Sequence, residues 1–330
     1  MSNHRINIFL ILTLCSSLVF SCTHRSKNSS DPILSIPSPR SGYSMAYDEN
    51  RERVVLFGGQ DSSDVKLNDT WEWYDDRWHI ADPGNTVPSP RINAAIAYDQ
   101  QEKKIILFGG IDSTGFLQDT WIYGRNGWEQ MTVRNVPSSR QLATAAYDAI
   151  HHNTVLFGGR DENGGRLGDT WIFEDSEWSL AAETGPSPRS SHAMVYDDSE
   201  MSILLYGGYD GNMLSDAWLW HGGQWRQMET NEGPSRLHAA VVYDADRRGS
   251  LVIGGFGTAG RTNDVWMLKN REWIKLDMEG DLPKTRAEHE AAYVPGAGTL
   301  VFGGVVGTDP RTRIRANDTW LLNGKNWFQY

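Results

Sequence analysis

The chain has 330 residues, 39% hydrophobic and 22% charged, a balance that supports a packed core and excludes global disorder. Its formal net charge of −11 offers no basic footprint, which excludes nucleic acid as a partner and disfavours any strongly anionic macromolecule. The two cysteines, Cys15 and Cys22, both stand near the start, so the rest of the chain has neither disulfide nor thiolate chemistry, and its 14 tryptophans and 33 glycines require a positional explanation.

Arg5 precedes the apolar run from Ile6 to Phe20, which gives residues 1–21 the charged and apolar regions of a signal peptide. The run is too short to serve as a membrane-spanning anchor. It ends in Leu18-Val19-Phe20-Ser21-Cys22, which resembles the lipobox of bacterial lipoproteins, with Phe20 larger than the usual residue. That resemblance implies lipidation (palmitate) at Cys22, which would become the mature N-terminus. Thr23, in place of aspartate, resembles an outer-membrane sorting signal. The expected location is therefore the bacterial cell envelope, with a lipid anchor as the only membrane contact. Residues 22–36 are polar and read as a flexible tether.

From residue 37 onward one pattern recurs six times. Each copy opens with an arginine: Arg40, Arg91, Arg140, Arg189, Arg236 and Arg286. Seven residues on stands Tyr47, Tyr98, Tyr147, Tyr196, Tyr243 or Tyr293. An apolar run then closes on a glycine pair, Gly58-Gly59 in the first copy and Gly158-Gly159 in the third. A polar loop leads to an Asp-x-Trp triplet that begins at Asp69, Asp119, Asp169, Asp216, Asp264 or Asp318. A second tryptophan follows seven residues later, as in Trp171 and Trp178.

Each copy holds four short strand-like runs. In the third, Leu142 to Tyr147 predicts strand A, Thr154 to Phe157 strand B, Asp169 to Phe173 strand C, and Trp178 to Leu180 begins strand D. The glycine pair marks the end of strand B. A four-stranded sheet has two apolar faces and cannot cover both alone, but a ring of such sheets can. The repeat of about 50 residues resembles the kelch family in its galactose-oxidase-like variant, from Pro37 to Tyr330. The implied fold is all-β: a six-bladed β-propeller of four-stranded antiparallel blades, at about 37–84, 85–134, 135–183, 184–230, 231–280 and 281–330.

Strand alternation puts the B–C loops and D–A connections on one rim. The B–C loops are the longer ones, so the binding face is expected there. The six arginines and six aspartates recur in every copy and read as structural ion pairs. The residue after each glycine pair differs from copy to copy: Gln60, Ile111, Arg160, Tyr209, Phe256 and Val305. These form the candidate ligand-binding rim, together with Arg311 and Arg313, which with Arg315 read as a basic spot in the longest loop, Val305 to Asn317. Asp61, Asp112, Asp161 and Asp210 read as Asx-turn caps. His192 and His289 read as strand A residues, and His238 as lying one position earlier on the opposite face.

No histidine pair has zinc spacing, and no G-x-S-x-G, P-loop or zincin pattern is present. No metal, cofactor or catalytic residue is assigned. The family includes copper-dependent galactose oxidases, whose crosslinked cysteine has no counterpart after Cys22, and sialic-acid mutarotases. The favoured reading is a non-catalytic, monomeric binding or scaffold protein of the cell envelope that recognises a protein or a glycan. A carbohydrate-active enzyme such as a mutarotase is the alternative.

Overall fold

The structure, a computed structural model, describes residues 36–330. The signal peptide, the lipidation of Cys22 and the tether up to residue 35 lie outside the described residues. The described chain forms strands and turns only, arranged in six blades.

Blade one comprises Ser44–Asp48, Arg53–Asp61, Lys66–Tyr74 and Arg77–Ile80 as strands A to D, and the pair Arg40–Ser41 extends the sheet beyond strand A. Blade two comprises Ala95–Asp99, Lys104–Phe108, Thr120–Gly124 and Gly127–Gln130. Blade three comprises Thr144–Asp148, Asn153–Phe157, Thr170–Glu174 and Glu177–Ala182. Blade four comprises Ala193–Asp197, Ser202–Tyr209, Met213–His221 and Gln224–Met228. Blade five comprises Ala240–Asp244, Gly249–Ile253, Val265–Lys269 and Glu272–Leu276. Blade six comprises Glu290–Val294, Gly298–Val306, Ile314–Asn323 and Asn326–Gln329, with Arg286–Ala287 extending the sheet. Each blade is an antiparallel A-B-C-D meander of contiguous chain. Strand A of each blade lies beside strand A of the next, and that of blade six lies beside that of blade one.

Two details differ from the expected strands. Strand A of blade three starts at Thr144 rather than Leu142, because Leu142 takes a left-handed backbone with φ 57° that a strand does not accommodate. The glycine pair ends strand B in blades two, three and five, but in blades one, four and six strand B runs on to Asp61, Tyr209 and Val306. There strands B and C form long hairpins that rise above the blade. The need for glycine itself comes from the neighbouring blade. A Cβ on Gly158 would sit 2.7 Å from the Arg189 carbonyl oxygen of blade four, at a backbone φ of 65°.

Between blades the core is a series of aromatic wedges. The strand D tryptophan of one blade packs on the residue just before the glycine pair of the preceding blade. Trp128 meets Phe57 at 4.8 Å between ring centroids, Trp178 meets Phe108 at 5.2 Å, and Trp225 meets Phe157 at 5.2 Å. The same indoles donate Nε1–H to the threonine of the preceding blade's Asp-Thr-Trp: Trp128 to Thr70 and Trp178 to Thr120 at 2.9 Å, and Trp225 to Thr170 at 2.8 Å. A buried indole needs such a partner.

The ring closes by the same contact. Trp78 of blade one packs on Phe302 of blade six at 5.1 Å and donates to Thr319 at 2.9 Å. Two seams lack it. Blades four and five carry Ala217 and Val265 in place of threonine, and the Nε1 atoms of Trp273 and Trp327 are buried without a partner. Trp273 still packs on an aromatic ring, Tyr206 at 4.7 Å, whereas Trp327 follows Ile253. Val265→Thr, a near-isosteric change at a fully buried site, is therefore expected to stabilise the protein by about 1 kcal/mol. Thr120→Val, which orphans Trp178, is expected to cost about 1–3 kcal/mol. Denaturant unfolding of both variants checks the pair of signs.

Candidate functional site

Each of the six arginines meets the aspartate of its own blade. In blade one Arg40 holds Asp69 through two parallel hydrogen bonds, at 2.6 and 2.8 Å, and donates to the Gly58 carbonyl at 3.0 Å. The Trp71 indole donates to the same carboxylate at 2.6 Å. Blades two to four repeat this node with Asp119, Asp169 and Asp216. Blade six repeats the pairing between Arg286 and Asp318. Blade five differs: Arg236 reaches Asp264 through one nitrogen only, and its Nε is unpartnered. The other blades have one more residue between proline and arginine, as in Pro186-Ser187-Pro188-Arg189, where blade five has Pro234-Ser235-Arg236.

Asp69, Asp169, Asp216, Asp264 and Asp318 are pushed up by burial, but hydrogen bonds from arginine and tryptophan and the arginine charge hold each below the usual aspartate range. Their folded-state pKa is depressed, so the stability they contribute is fully present above the unfolded value of about 4 and is lost as pH falls through the folded one. The melting temperature is expected to drop below about pH 4. Asp169→Ala, which leaves Arg140 buried without its partner, is expected to cost roughly 3–5 kcal/mol in calorimetry or denaturant unfolding.

Two residues after each arginine the chain turns toward the axis of the ring, where these six positions surround a cavity that forms the mouth of an axial channel. Gly42, Asn93, Leu142, Ser191, His238 and Glu288 all have φ between 53° and 64°. Their backbones form a closed ring. The Asn93 amide donates to Gly42 O at 2.8 Å, Leu142 to Asn93 at 3.0 Å, Ser191 to Leu142 at 3.3 Å and His238 to Ser191 at 3.0 Å. Glu288 then donates to His238 O at 3.2 Å, and Gly42 to Glu288 O at 3.3 Å. One backbone thus repeats six times with five different side chains and one glycine. His238 belongs to this mouth ring. His192 and His289 are buried one position further on, and His192 lies edge-on to Phe157 at 5.4 Å. Burial, then the adjacent Arg189 or Arg286, lowers the pKa of each imidazole to about 3, so both rings are neutral.

The residues after the glycine pairs are divided by the fold. Arg160 is exposed, and Ile111 and Phe256 are half-buried in short ladders on the rim. Tyr209 is half-buried, and the Arg166 guanidinium covers its ring at 4.5 Å. Gln60 donates to Asp64 O at 2.9 Å and accepts from Arg315 at 3.0 Å. Val305, only 1% exposed, faces into the blade and is not available to a ligand. Asp61, Asp112, Asp161 and Asp210 spend their carboxylates on the amides of their own loops, at Ser63, Thr114, Asn163 and Asn212.

The basic spot in the longest loop does not form. Arg311 pairs with Asp309 at 3.0 Å and Arg313 with Glu288 at 2.6 Å, while Arg315 is buried and pairs with Asp64 at 2.8 Å. These contacts build a braced ridge over blades five, six and one. Arg261 of blade five, which the sequence reading did not single out, donates to the carbonyls of Gly307, Asp309 and Thr312 in the blade-six loop. Ser41 of blade one donates to Glu288 at 3.1 Å, and Arg315 Nε donates to Ser41 at 3.2 Å. The ridge carries two exposed aliphatic tips, Val65 at 54% and Ile314 at 61% exposure. They adjoin the two members of the Asp64–Arg315 pair.

A family model described as the KLHDC2/KLHL20/DRC7 Kelch-repeats domain matches residues 13–174, 72–220 and 173–329. Over 76 residues the chain is 34% identical to dynein regulatory complex subunit 7 of Chlamydomonas reinhardtii, a match that covers 22% of this chain and 6% of that protein.

Proposed function

The chain belongs to the kelch-repeat family, and from that premise we propose that it is a non-catalytic binding scaffold whose braced ridge on blades five, six and one receives a protein partner. The observation that carries this reading is the pair of exposed aliphatic side chains, Val65 and Ile314, on hairpins that ion pairs and backbone bonds hold in place. Pre-ordered apolar anchors within a polar surround are the features that carry binding energy at protein interfaces. The variable mouth residues Asn93, Leu142, Ser191 and His238 lie beside the ridge and suit specificity. The polar groups most often repeated, the arginine–aspartate nodes, serve the blades instead.

The test compares interaction partners recovered by crosslinking and affinity capture with the native chain, Ile314→Asp and Val65→Asp. Each substitution is expected to abolish capture of a shared partner and to leave the unfolding free energy within about 0.5 kcal/mol of the native value, as exposed sites do. Capture unchanged by both would remove the ridge from the binding surface. We also propose that Cys22 carries a lipid that tethers the propeller to the cell envelope, a reading supported by the lipobox-like Leu18-Val19-Phe20-Ser21-Cys22. Radiolabelled palmitate is expected to be incorporated into the native chain and not into Cys22→Ala.

A further inference from the structure

The axial channel contains a carboxyl that the fold does not use. Glu290, the first residue of strand A in blade six, occupies the position taken by Ser44, Ala95, Thr144, Ala193 and Ala240 in the other blades. Its backbone amide donates to the Tyr43 hydroxyl at 3.0 Å, but its side chain forms no ion pair or hydrogen bond among the described residues. Burial is the sole cause that shifts it, raising its pKa to about 8, so the carboxyl is mostly protonated at neutral pH and a cation seated on it releases that proton to solvent. The carboxyl faces a channel cavity of about 140 Å³ walled by small side chains such as Ala95, Thr144, Ala193 and Ala239. The Thr144 hydroxyl there is also buried without a partner. A polar space of that size holds several waters or a slender chain.

Away from the ridge, this cavity shares Val241 and Ala291 with a funnel of about 370 Å³ that opens on the A–B rim. Five of the six repeat tyrosines, Tyr47, Tyr98, Tyr196, Tyr243 and Tyr293, line the funnel. Glu49 and Asp198 stand at its edge, and none of the described side chains lining it is basic. Both acids are exposed and neither has a salt-bridge partner among the described residues. Burial first, then nearby carboxylates, raises the pKa of Tyr47 and of Tyr196, and acidic neighbours outnumber the single arginine, Arg51 or Arg248, that acts on Tyr98 and Tyr243. Tyrosine rings and carboxylates lining one cavity are groups that attract organic ammonium ions. From Glu290 to the level of Pro295, five residues of strand cover about 16 Å.

We propose that the channel binds a linear aliphatic polyamine, with one terminal ammonium on Glu290, the alkyl stem along the tyrosine funnel and the other end between Glu49 and Asp198. The site is separate from the ridge and does not depend on the ridge's partner. Only a long amine bridges both ends; a four-carbon diamine engages one.

The experiment is calorimetric titration of the full chain with spermine and with 1,4-diaminobutane in about 0.15 M salt, which suppresses attraction to exposed surface acids. One spermine site is expected, at least about tenfold tighter than the diamine, because a second charge-assisted contact contributes at that level. Glu290→Gln, which removes a half-buried, channel-facing unpaired acid at nearly constant shape, is expected to weaken spermine by about tenfold or more. The paired exposed change Glu49→Gln with Asp198→Asn, which leaves the buried channel intact, is expected to erase the advantage of spermine over the diamine. Absence of a saturable site, equal affinity for both amines, or binding indifferent to Glu290→Gln would each overturn the proposal.

Discussion

A ring of sheets with no strand shared across its ends among the described residues stays closed only if the contact between last and first blades equals the contacts inside the chain. Here it does. Trp78 sits on Phe302 and donates to Thr319 with the geometry that Trp128 and Trp178 use one and two blades away. The Gly42 amide completes the ring of backbone bonds at the channel mouth by reaching Glu288 O, and the Tyr43 hydroxyl donates to Phe302 O of blade six. Both faces of blade one are thereby covered, as each blade requires. Were that seam open, blade one would expose Trp78 and blade six would expose Phe302.

The polar groups divide by symmetry. What serves the blade recurs: an arginine locked on an aspartate, a glycine carbonyl and a neighbouring indole. What does not recur gathers where blades five, six and one cross-brace through Arg261, Arg313 and Arg315. Of the charges that look like a basic patch in the sequence, Arg313 and Arg315 are engaged in that bracing, whereas Arg311 pairs with Asp309 inside its own loop. An ion pair with a buried arginine holds a loop in one geometry, whereas the exposed Arg311–Asp309 pair contributes little.

Much of the architecture was legible before any coordinates. The period, the glycine pairs and the tryptophan spacing fix blade number and strand order, since each reflects a steric demand repeated at every seam. Even the defective seams can be traced in the sequence, because Ala217 and Val265 replace the threonine that a buried indole needs. The mouth ring was not legible. Leu142, Ser191 and His238 are unremarkable residues for a strand, and only the tertiary path forces them into left-handed backbone; Gly42 and Asn93, two residues after Arg40 and Arg91, were the local hints. Val305 was misplaced for a related reason: pleat parity in a long hairpin, which decides inside from outside, cannot be read from a loop. Partnering of the loop arginines depends on acids distant in the chain, Asp64 and Glu288.

The seam between blades five and six has a consequence for how the ring yields. Trp327 has neither an aromatic platform nor an acceptor there, and the break in the covalent chain lies on the other side of the same blade. Blade six is thus the keystone set between the poorest joint and the seam with blade one, which no described strand connection spans. Heat or denaturant would lift it out as a unit and leave a five-blade arc, a sub-global opening of the kind amide exchange resolves. The clasp of Arg261 on one flank and Arg315 on the other is what keeps that keystone seated.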